Sequence, residues 1–191
     1  NLWLGKSPDG EYFQGSVDDL RLYDGVMSRS ELVTLVEEGG GTVGEETPTP
    51  VINGSCPGTY RDNFDTRSFS GSGGSIDWST APWTEIGESD GATSGDIQVR
   101  ADQSNYQLRL RDNDNGGEGV SRLLNLSGVD TAMLTYRYRR QGLDRASVWV
   151  RVEISATGSA PWTTLTELGG PDNDTVYQTM LHDITAHASS K

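Results

Sequence analysis

Strict alternation of apolar and polar residues is the feature that most limits what this chain can fold into. The clearest example is segment 147–154, where every second side chain is apolar: Val148, Val150, Val152 and Ile154. A second segment repeats the pattern with Leu134, Tyr136 and Tyr138. Period-two alternation is typical of antiparallel strands that bury one face. The 24 glycines and the 33% share of hydrophobic residues favour short strands joined by many turns. The sequence therefore predicts an all-β fold, an antiparallel β-sandwich.

The first 38 residues carry a strand pattern followed by a helix signal. Leu20 and Leu22 fall on one face of a predicted strand, and Ser28-Arg29-Ser30-Glu31 is a capping box for a short helix. The run Gly15-x-Val17-Asp18-Asp19-Leu20-Arg21-Leu22-Tyr23, followed by Met27-Ser28-x-x-Glu31-Leu32, resembles the end of a LamG-like jellyroll, the concanavalin A-like lectin/glucanase architecture. The resemblance implies that residues 1–38 are the C-terminal portion of such a domain, whose remainder lies upstream.

Residues 39–59 are rich in Gly, Thr, Glu and Pro, which is typical of an exposed linker. Beyond them, Asn63-Phe64-Asp65, Glu88-Ser89-Asp90-Gly91, Ser94-Gly95-Asp96-Ile97 and Leu134-x-Tyr136-x-Tyr138 together resemble a MAM-like or carbohydrate-binding-like bacterial jelly roll of large secreted surface proteins. The resemblance implies that residues 60–191 form a jelly-roll domain. A closing Asp-Asn-(Val/Ile) motif is missing from it, so we expect this domain to be incomplete at its C-terminus.

Charge and motif content exclude several classes of function. The formal net charge of −13 argues against a general affinity for nucleic acid or for anionic membranes. No segment approaches the roughly 18–20 apolar residues that a membrane-spanning helix needs. His182 and His187 are five residues apart and belong to no zinc or catalytic motif. We therefore predict that the chain is not an enzyme and does not insert into a membrane.

Acidic residues grouped in two places suggest a structural calcium ion. Asp112 and Asp114 lie in a loop rich in Asp, Asn and Gly, which offers the hard oxygen ligands that calcium prefers. The same residues are also typical of turns without an ion. The second group lies where the resembled jelly rolls often hold calcium, and a hydrogen-bonded turn network is the alternative for it: Asp62, Asn63, Asp65, Glu88 and Asp90.

Trp149 and Arg151 are the candidate ligand-binding residues. Both alternate with the apolar residues of segment 147–154 and so fall on its outer face, where an indole ring could receive a sugar. The alternative is packing in the core or at its rim, which is the more usual place for Trp.

These observations predict a non-catalytic, extracellular binding or scaffold module of an adhesin-like surface protein. Its partners would be glycans or other surface proteins, and an exposed sheet edge would allow pairing with another chain. Two alternatives stay open: an accessory domain of a secreted polysaccharide hydrolase or protease, and a structural component of a surface filament or pilus. The single cysteine, Cys56, has no partner for an internal disulfide.

Overall fold

The computed structural model of this chain describes residues 2–4, 15–24, 58–102, 105–111, 117–143 and 148–188. Within them the chain forms antiparallel strands and one 3-10 turn, Thr185–His187. The strands, in chain order, are Leu2–Leu4 (β1), Gly15–Asp24 (β2), Gly58–Asp62 (β3), Thr84–Ile86 (β4), Ile97–Asp102 (β5), Asn105–Leu110 (β6), Gly119–Arg122 (β7), Ala132–Arg140 (β8), Trp149–Ile154 (β9), Thr163–Gly169 (β10) and Gln178–Asp183 (β11). The all-β prediction is confirmed.

Two sheets divide these strands between them. One has the order β10-β9-β1-β7-β4, and the other has the order β11-β8-β2-β6-β5. The long strand β2 pairs with β6 through its first residues and with β3 through its last ones, while β8 lines its other side. Of the edge strands, β10 and β11 come from the last part of the described chain, one in each sheet.

A single apolar core lies between the inner faces of the two sheets. The segment predicted from alternation supplies Val148, Val150, Val152 and Ile154, which are between 1% and 7% exposed. Leu134, Tyr136 and Tyr138 meet them from β8, and all belong to the same cluster of buried side chains. Each buried aliphatic side chain contributes about 1.5–3 kcal/mol. Because both sheets bury one face in this shared core, the arrangement is a β-sandwich, and its jelly-roll connectivity stays a prediction.

The place of β1 and β2 differs from the predicted organisation. The sequence assigns residues 1–38 to a separate unit, but β1 lies between β9 and β7, and β2 lies between β8 and β6. Leu20 and Leu22 point into the shared core, with 0% and 1% of their surface exposed. The alternation of β2 identified its buried face correctly, because that pattern is local, whereas the identity of its neighbours depends on residues far along the chain.

The predicted helix and most of the predicted linker lie outside the described residues. The linker was predicted to extend to residue 59, but Gly58 and Thr59 already belong to β3, opposite Asp24 and Tyr23. Among the described residues, no helix is long and apolar enough to cross a membrane.

Candidate functional site

Five carboxylates meet where the ends of three strands come together. Glu85 lies in β4, Glu88 and Asp90 follow it, Asp96 directly precedes β5, and Glu118 directly precedes β7. One carboxylate oxygen from each of Glu85, Glu88 and Asp90 lies within 4.8 Å of the other two, and the same holds for Glu88, Asp96 and Glu118. Glu88 belongs to both groups, so we refer to all five residues as the carboxylate cluster.

Strand pairing explains why these distant residues meet. β4 pairs with β7 and sets Ile86 opposite Gly119, which brings the loop after β4 next to Glu118. Glu88 then reaches the other sheet, where its two carboxylate oxygens accept hydrogen bonds from the backbone N–H groups of Asp96 and Ile97 at 2.9 and 2.6 Å. The cluster therefore joins the end of one sheet to the first residues of β5 in the other.

Gly95 makes room for the cluster. It has a φ of +71°, and a Cβ atom placed on it would lie 2.5 Å from both carboxylate oxygens of Asp90 and 2.5 Å from Glu88 Oε2. Only glycine combines this left-handed conformation with such a close approach. The carboxylates consequently pack against bare backbone.

The electrostatics of the cluster leave negative charge only partly compensated. Burial is the largest cause that raises the pKa of Glu85, and the charges of Glu88 and Asp90 raise it further. Glu85 Oε2 accepts a hydrogen bond from Gly91 N–H at 3.0 Å, whereas Glu85 Oε1 is buried and has no hydrogen-bond partner. Asp96 is neutralised in part, because Arg111 contacts its Oδ1 at 2.8 Å. A cation placed among these oxygens would relieve the like-charge repulsion and give Glu85 Oε1 a partner.

The donor set suits one class of ion. All five side chains offer hard carboxylate oxygens, and neither cysteine nor histidine belongs to either group. Such sites suit calcium or magnesium rather than zinc or copper. Calcium tolerates irregular geometry and accepts 6–8 oxygens, which fits carboxylates drawn from three separate strand ends better than magnesium's octahedron does.

The carboxylate cluster contains two of the residues predicted for calcium, Glu88 and Asp90. Glu88 and Asp90 lie together as predicted, but Asp62 and Asp65 are absent from the acidic groups that the described residues form. Asn63 Nδ2 instead donates to Asp65 Oδ2 at 3.3 Å, in an exposed segment directly after β3. Asp112 and Asp114 lie outside the described residues. The other three cluster residues, Glu85, Asp96 and Glu118, were not among those predicted for calcium. Glycines with positive φ lie close to two of them, Gly87 near Glu85 and Gly95 beside Asp96.

Asp62 lies outside the carboxylate cluster and is fully buried in a different network. Its side chain and that of Arg122 are both 0% exposed, and Arg122 Nη1 donates to Asp62 Oδ2 at 2.7 Å. The same oxygen accepts a hydrogen bond from Trp83 Nε1 at 3.1 Å, and Asp62 Oδ1 accepts one from Phe64 N–H at 3.0 Å. Both carboxylate oxygens are thus occupied by protein donors.

Arg122 uses its remaining donors to hold the long segment between β3 and β4. Its Nε donates to the carbonyl oxygen of Ala81 at 2.6 Å, and its Nη2 donates to those of Gly71 and Trp78 at 2.9 and 2.7 Å. Its guanidinium carbon lies 3.8 Å from the centre of the Trp78 ring. Burial lowers the pKa of Arg122 to about 10 and raises that of Asp62, and the attraction between the two opposes both changes. This network has a structural role, because it holds the segment between β3 and β4 against β7.

Trp149 and Arg151 lie on the outer face of β9, as predicted, but they contact each other. The guanidinium carbon of Arg151 lies 3.9 Å from the centre of the Trp149 ring, and Arg151 Nε donates to Glu167 Oε2 at 3.0 Å. One face of the indole ring is therefore covered by a guanidinium group that is itself held in place. A sugar would have to use the opposite ring face.

No protein-family model, no curated protein and no solved structure matches this chain. The LamG-like and MAM-like resemblances therefore stay predictions, and the case for function is made by the geometry of the described residues.

Proposed function

We propose that this chain is a non-catalytic, extracellular binding or scaffold module whose carboxylate cluster holds a structural calcium ion. The ion would fix the loop after β4 against the start of β5 and the start of β7. Its role would be to stiffen one end of the sandwich, leaving the outer sheet faces and the remaining loops for contact with partners.

A single observation carries this proposal. Glu85, Glu88 and Asp90 converge within 4.8 Å, and Glu85 Oε1 is buried without a hydrogen-bond partner. Burying a polar oxygen without a partner costs free energy, and placing three carboxylates together costs more. Coordination of a divalent cation removes both costs. Arg122 supplies such a counter-charge to Asp62, whereas the charges of Glu88 and Asp90 raise the pKa of Glu85.

The test is a thermal melt with calcium and with EDTA. A ligand at about 100 times its dissociation constant stabilises a protein by about 2.7 kcal/mol, which corresponds to about 5–10 °C in Tm for a domain of this size. We expect calcium to raise Tm by this amount and EDTA to reverse it. Glu88→Gln should abolish the response, because Glu88 contributes to both groups of carboxylates.

Glu167→Gln is the matched control. It removes one carboxylate charge of the same residue type from β10, outside the cluster, where Glu167 pairs with Arg151. The control should keep the full calcium response. An unchanged Tm of the unsubstituted chain in saturating calcium would rule out the ion site. If both variants lost the calcium-dependent rise in Tm equally, that rise would depend on net charge rather than on the carboxylate cluster.

A further inference from the structure

The edges of the two sheets differ in how far the chain itself already covers them. The edge formed by β3 is covered by the segment that follows it. Gly73 N–H donates to the carbonyl oxygen of Arg61 at 2.9 Å. Ile76 N–H donates to the carbonyl oxygen of Thr59 at 3.1 Å. β4, at the edge of the other sheet, has only three residues, and so short a strand offers little for another strand to pair with.

β5 and β10 are protected in other ways. The N–H of Ile97 in β5 donates to Glu88 Oε1 at 2.6 Å. The N–H of Val99, two residues on, donates to the carbonyl oxygen of Ala92 at 2.8 Å. β10 has an irregular register in its middle, and a bulge of this kind hinders the addition of a new strand.

β11 lacks these protections. It pairs with β8 on one side, and within the part of the chain that the structure describes no strand pairs with its other side. Its six residues, Gln178–Asp183, include neither proline nor lysine, and their pairing with β8 has no register shift. Leu181 within it is 41% exposed, and Val176 just before it is 61% exposed. An open, regular edge with exposed apolar residues is the kind to which another strand adds.

The direction of the free backbone groups of β11 follows from its pairing with β8. Ile184 continues the register opposite Ala132, and Ile184 N–H donates to the carbonyl oxygen of Ala132 at 2.9 Å. Because backbone groups alternate in direction along a strand, those of Thr179, Leu181 and Asp183 point away from β8. These three residues therefore present the N–H and C=O groups that a new strand would bind.

We propose that β11 pairs antiparallel with β11 of a second copy of this chain, with Leu181 opposite its own counterpart on a two-fold axis. In this register Thr179 of each copy lies opposite Asp183 of the other. The outward N–H and C=O groups then meet at all three positions, because directly opposite residues of an antiparallel pair exchange both hydrogen bonds. Two copies joined in this way share one continuous sheet and form a closed two-fold dimer.

The side chains of β11 favour a second copy as the partner. Each exposed Leu181 packs against the other, since their Cα atoms would lie about 5.5 Å apart. Thr179 Oγ1 is buried and has no hydrogen-bond partner among the described residues. Asp183 Oδ1 accepts a hydrogen bond from Thr185 N–H at 2.9 Å, so Asp183 Oδ2 is the oxygen that can accept one from the Thr179 hydroxyl of the second copy after that side chain rotates. A register that set Asp183 opposite itself would be disfavoured by like charge.

Sedimentation velocity between about 5 and 500 µM tests the association, under reducing conditions. We expect a monomer–dimer equilibrium with a Kd on the order of 10 µM, because one strand pair is smaller than the interfaces of tight complexes. The formal net charge of −13 opposes association of two copies. The buffer therefore contains about 0.15 M sodium chloride, which screens charges more than about 8 Å apart.

Two matched substitutions localise the contact. Leu181→Lys should weaken the dimer at least tenfold, because it sets two positive charges opposite each other on the axis. Leu123→Lys is the control, since Leu123 is 62% exposed and directly follows β7 in the other sheet. The control should keep the Kd of the unsubstituted chain.

Disulfide cross-linking tests the register in a Cys56→Ser background. Leu181→Cys should form a covalent dimer on mild oxidation, because a Cα–Cα distance of about 5.5 Å suits a disulfide. Thr179→Cys should not link to itself, since the two copies of this residue lie four positions apart, about 13 Å at 3.3 Å per residue. Thr179→Cys mixed with Asp183→Cys should link.

Three results overturn the proposal: no dimer up to about 500 µM, equal weakening by Leu181→Lys and Leu123→Lys, or self-linking of Thr179→Cys as fast as that of Leu181→Cys. Circular dichroism of each variant checks that it is folded. The carboxylate cluster lies beside β5, at the opposite edge of the sheet from β11. Glu88→Gln should therefore leave the Kd of the dimer unchanged, and the ion site and the dimer can fail separately.

Discussion

Asp62 and Glu88 are carboxylates with opposite surroundings in the same molecule. Asp62 is fully buried, and Arg122, Trp83 and the backbone N–H of Phe64 donate to its two oxygens. Glu88 is partly exposed, accepts two backbone hydrogen bonds, and lies among other carboxylates. Donors within the protein satisfy both oxygens of Asp62, whereas the negative charge around Glu88 is only partly compensated.

The comparison shows that a fully buried carboxylate paired with an arginine is a poorer candidate ligand than a partly exposed one that lies among other carboxylates. Both residues belong to the predicted calcium set, because composition and spacing do not distinguish them. What separates them is Arg122, which is 60 residues from Asp62 along the chain and reaches it from β7 in one sheet to the end of β3 in the other.

The largest effect should come from removing the counter-charge of the complete site. Asp62→Ala leaves Arg122 buried without its carboxylate, and breaking a buried pair in this way costs about 3–5 kcal/mol. We expect this decrease in the free energy of unfolding, measured by urea denaturation, with no change in any calcium response per molecule of folded protein.

The double variant Asp62→Leu with Arg122→Met sharpens this test. Replacing both partners with apolar residues removes the unpaired charge, so the double variant should be more stable than Asp62→Ala. It still loses the hydrogen bonds to Ala81, Gly71 and Trp78, so some destabilisation should remain. If Asp62→Ala lowered the free energy of unfolding by less than about 1 kcal/mol, the structural role of this pair would be contradicted.

The fold class could be predicted from the sequence because it depends on local alternation. The four apolar residues of segment 147–154 lie on the predicted buried face, since exposing a valine to water is unfavourable whichever strand lies beside it. Strand neighbours could not be predicted in this way. β2 pairs with β8 across more than a hundred residues, and nothing in the alternation of Leu20 and Leu22 specifies that partner.

The site could be predicted only where its residues are close in sequence. The prediction placed Glu88 and Asp90 together with Asp62 by the jelly-roll resemblance, whereas Asp96 and Glu118 join Glu88 through the start of β5 and the pairing of β4 with β7. The stacking of Arg151 on Trp149 could not be predicted from the sequence either. Two residues two positions apart on a strand share a face, but only the coordinates show that one covers the other.

An intermediate effect should follow from filling the space at Gly95. Gly95→Ala forces a Cβ into a left-handed conformation, which costs about 1–2 kcal/mol, and pushes it against the carboxylates of Asp90 and Glu88. Gly128→Ala is the control, since Gly128 has a φ of +78° and no atom within 4 Å of the added Cβ. Both variants should lose stability without calcium. If only Gly95→Ala also loses the calcium-dependent rise in Tm, the carboxylate cluster is the ion site; equal responses would argue against it.

The smallest effect concerns His182, which is half-buried in β11. Its Nε2 lies 3.2 Å from Tyr136 Oη and 2.9 Å from Thr166 Oγ1, so it connects β11 to strands of both sheets. Burial lowers its pKa from the ordinary value of 6.5. As pH falls below 6.5, His182 therefore binds more protons in the unfolded chain than in the folded one. The stability that neutral His182 contributes is lost progressively as pH falls toward the lowered pKa of the folded state.

Urea denaturation of the unsubstituted chain and of His182→Gln, at neutral pH and at about pH 5.5, isolates this contribution, because other titrating groups are common to both proteins. We expect the stability of the unsubstituted chain to fall relative to that of the variant on acidification. Parallel pH profiles would mean that the imidazole is as easily protonated between the sheets as it is in water, and that burial without a partner has no measurable cost at this position.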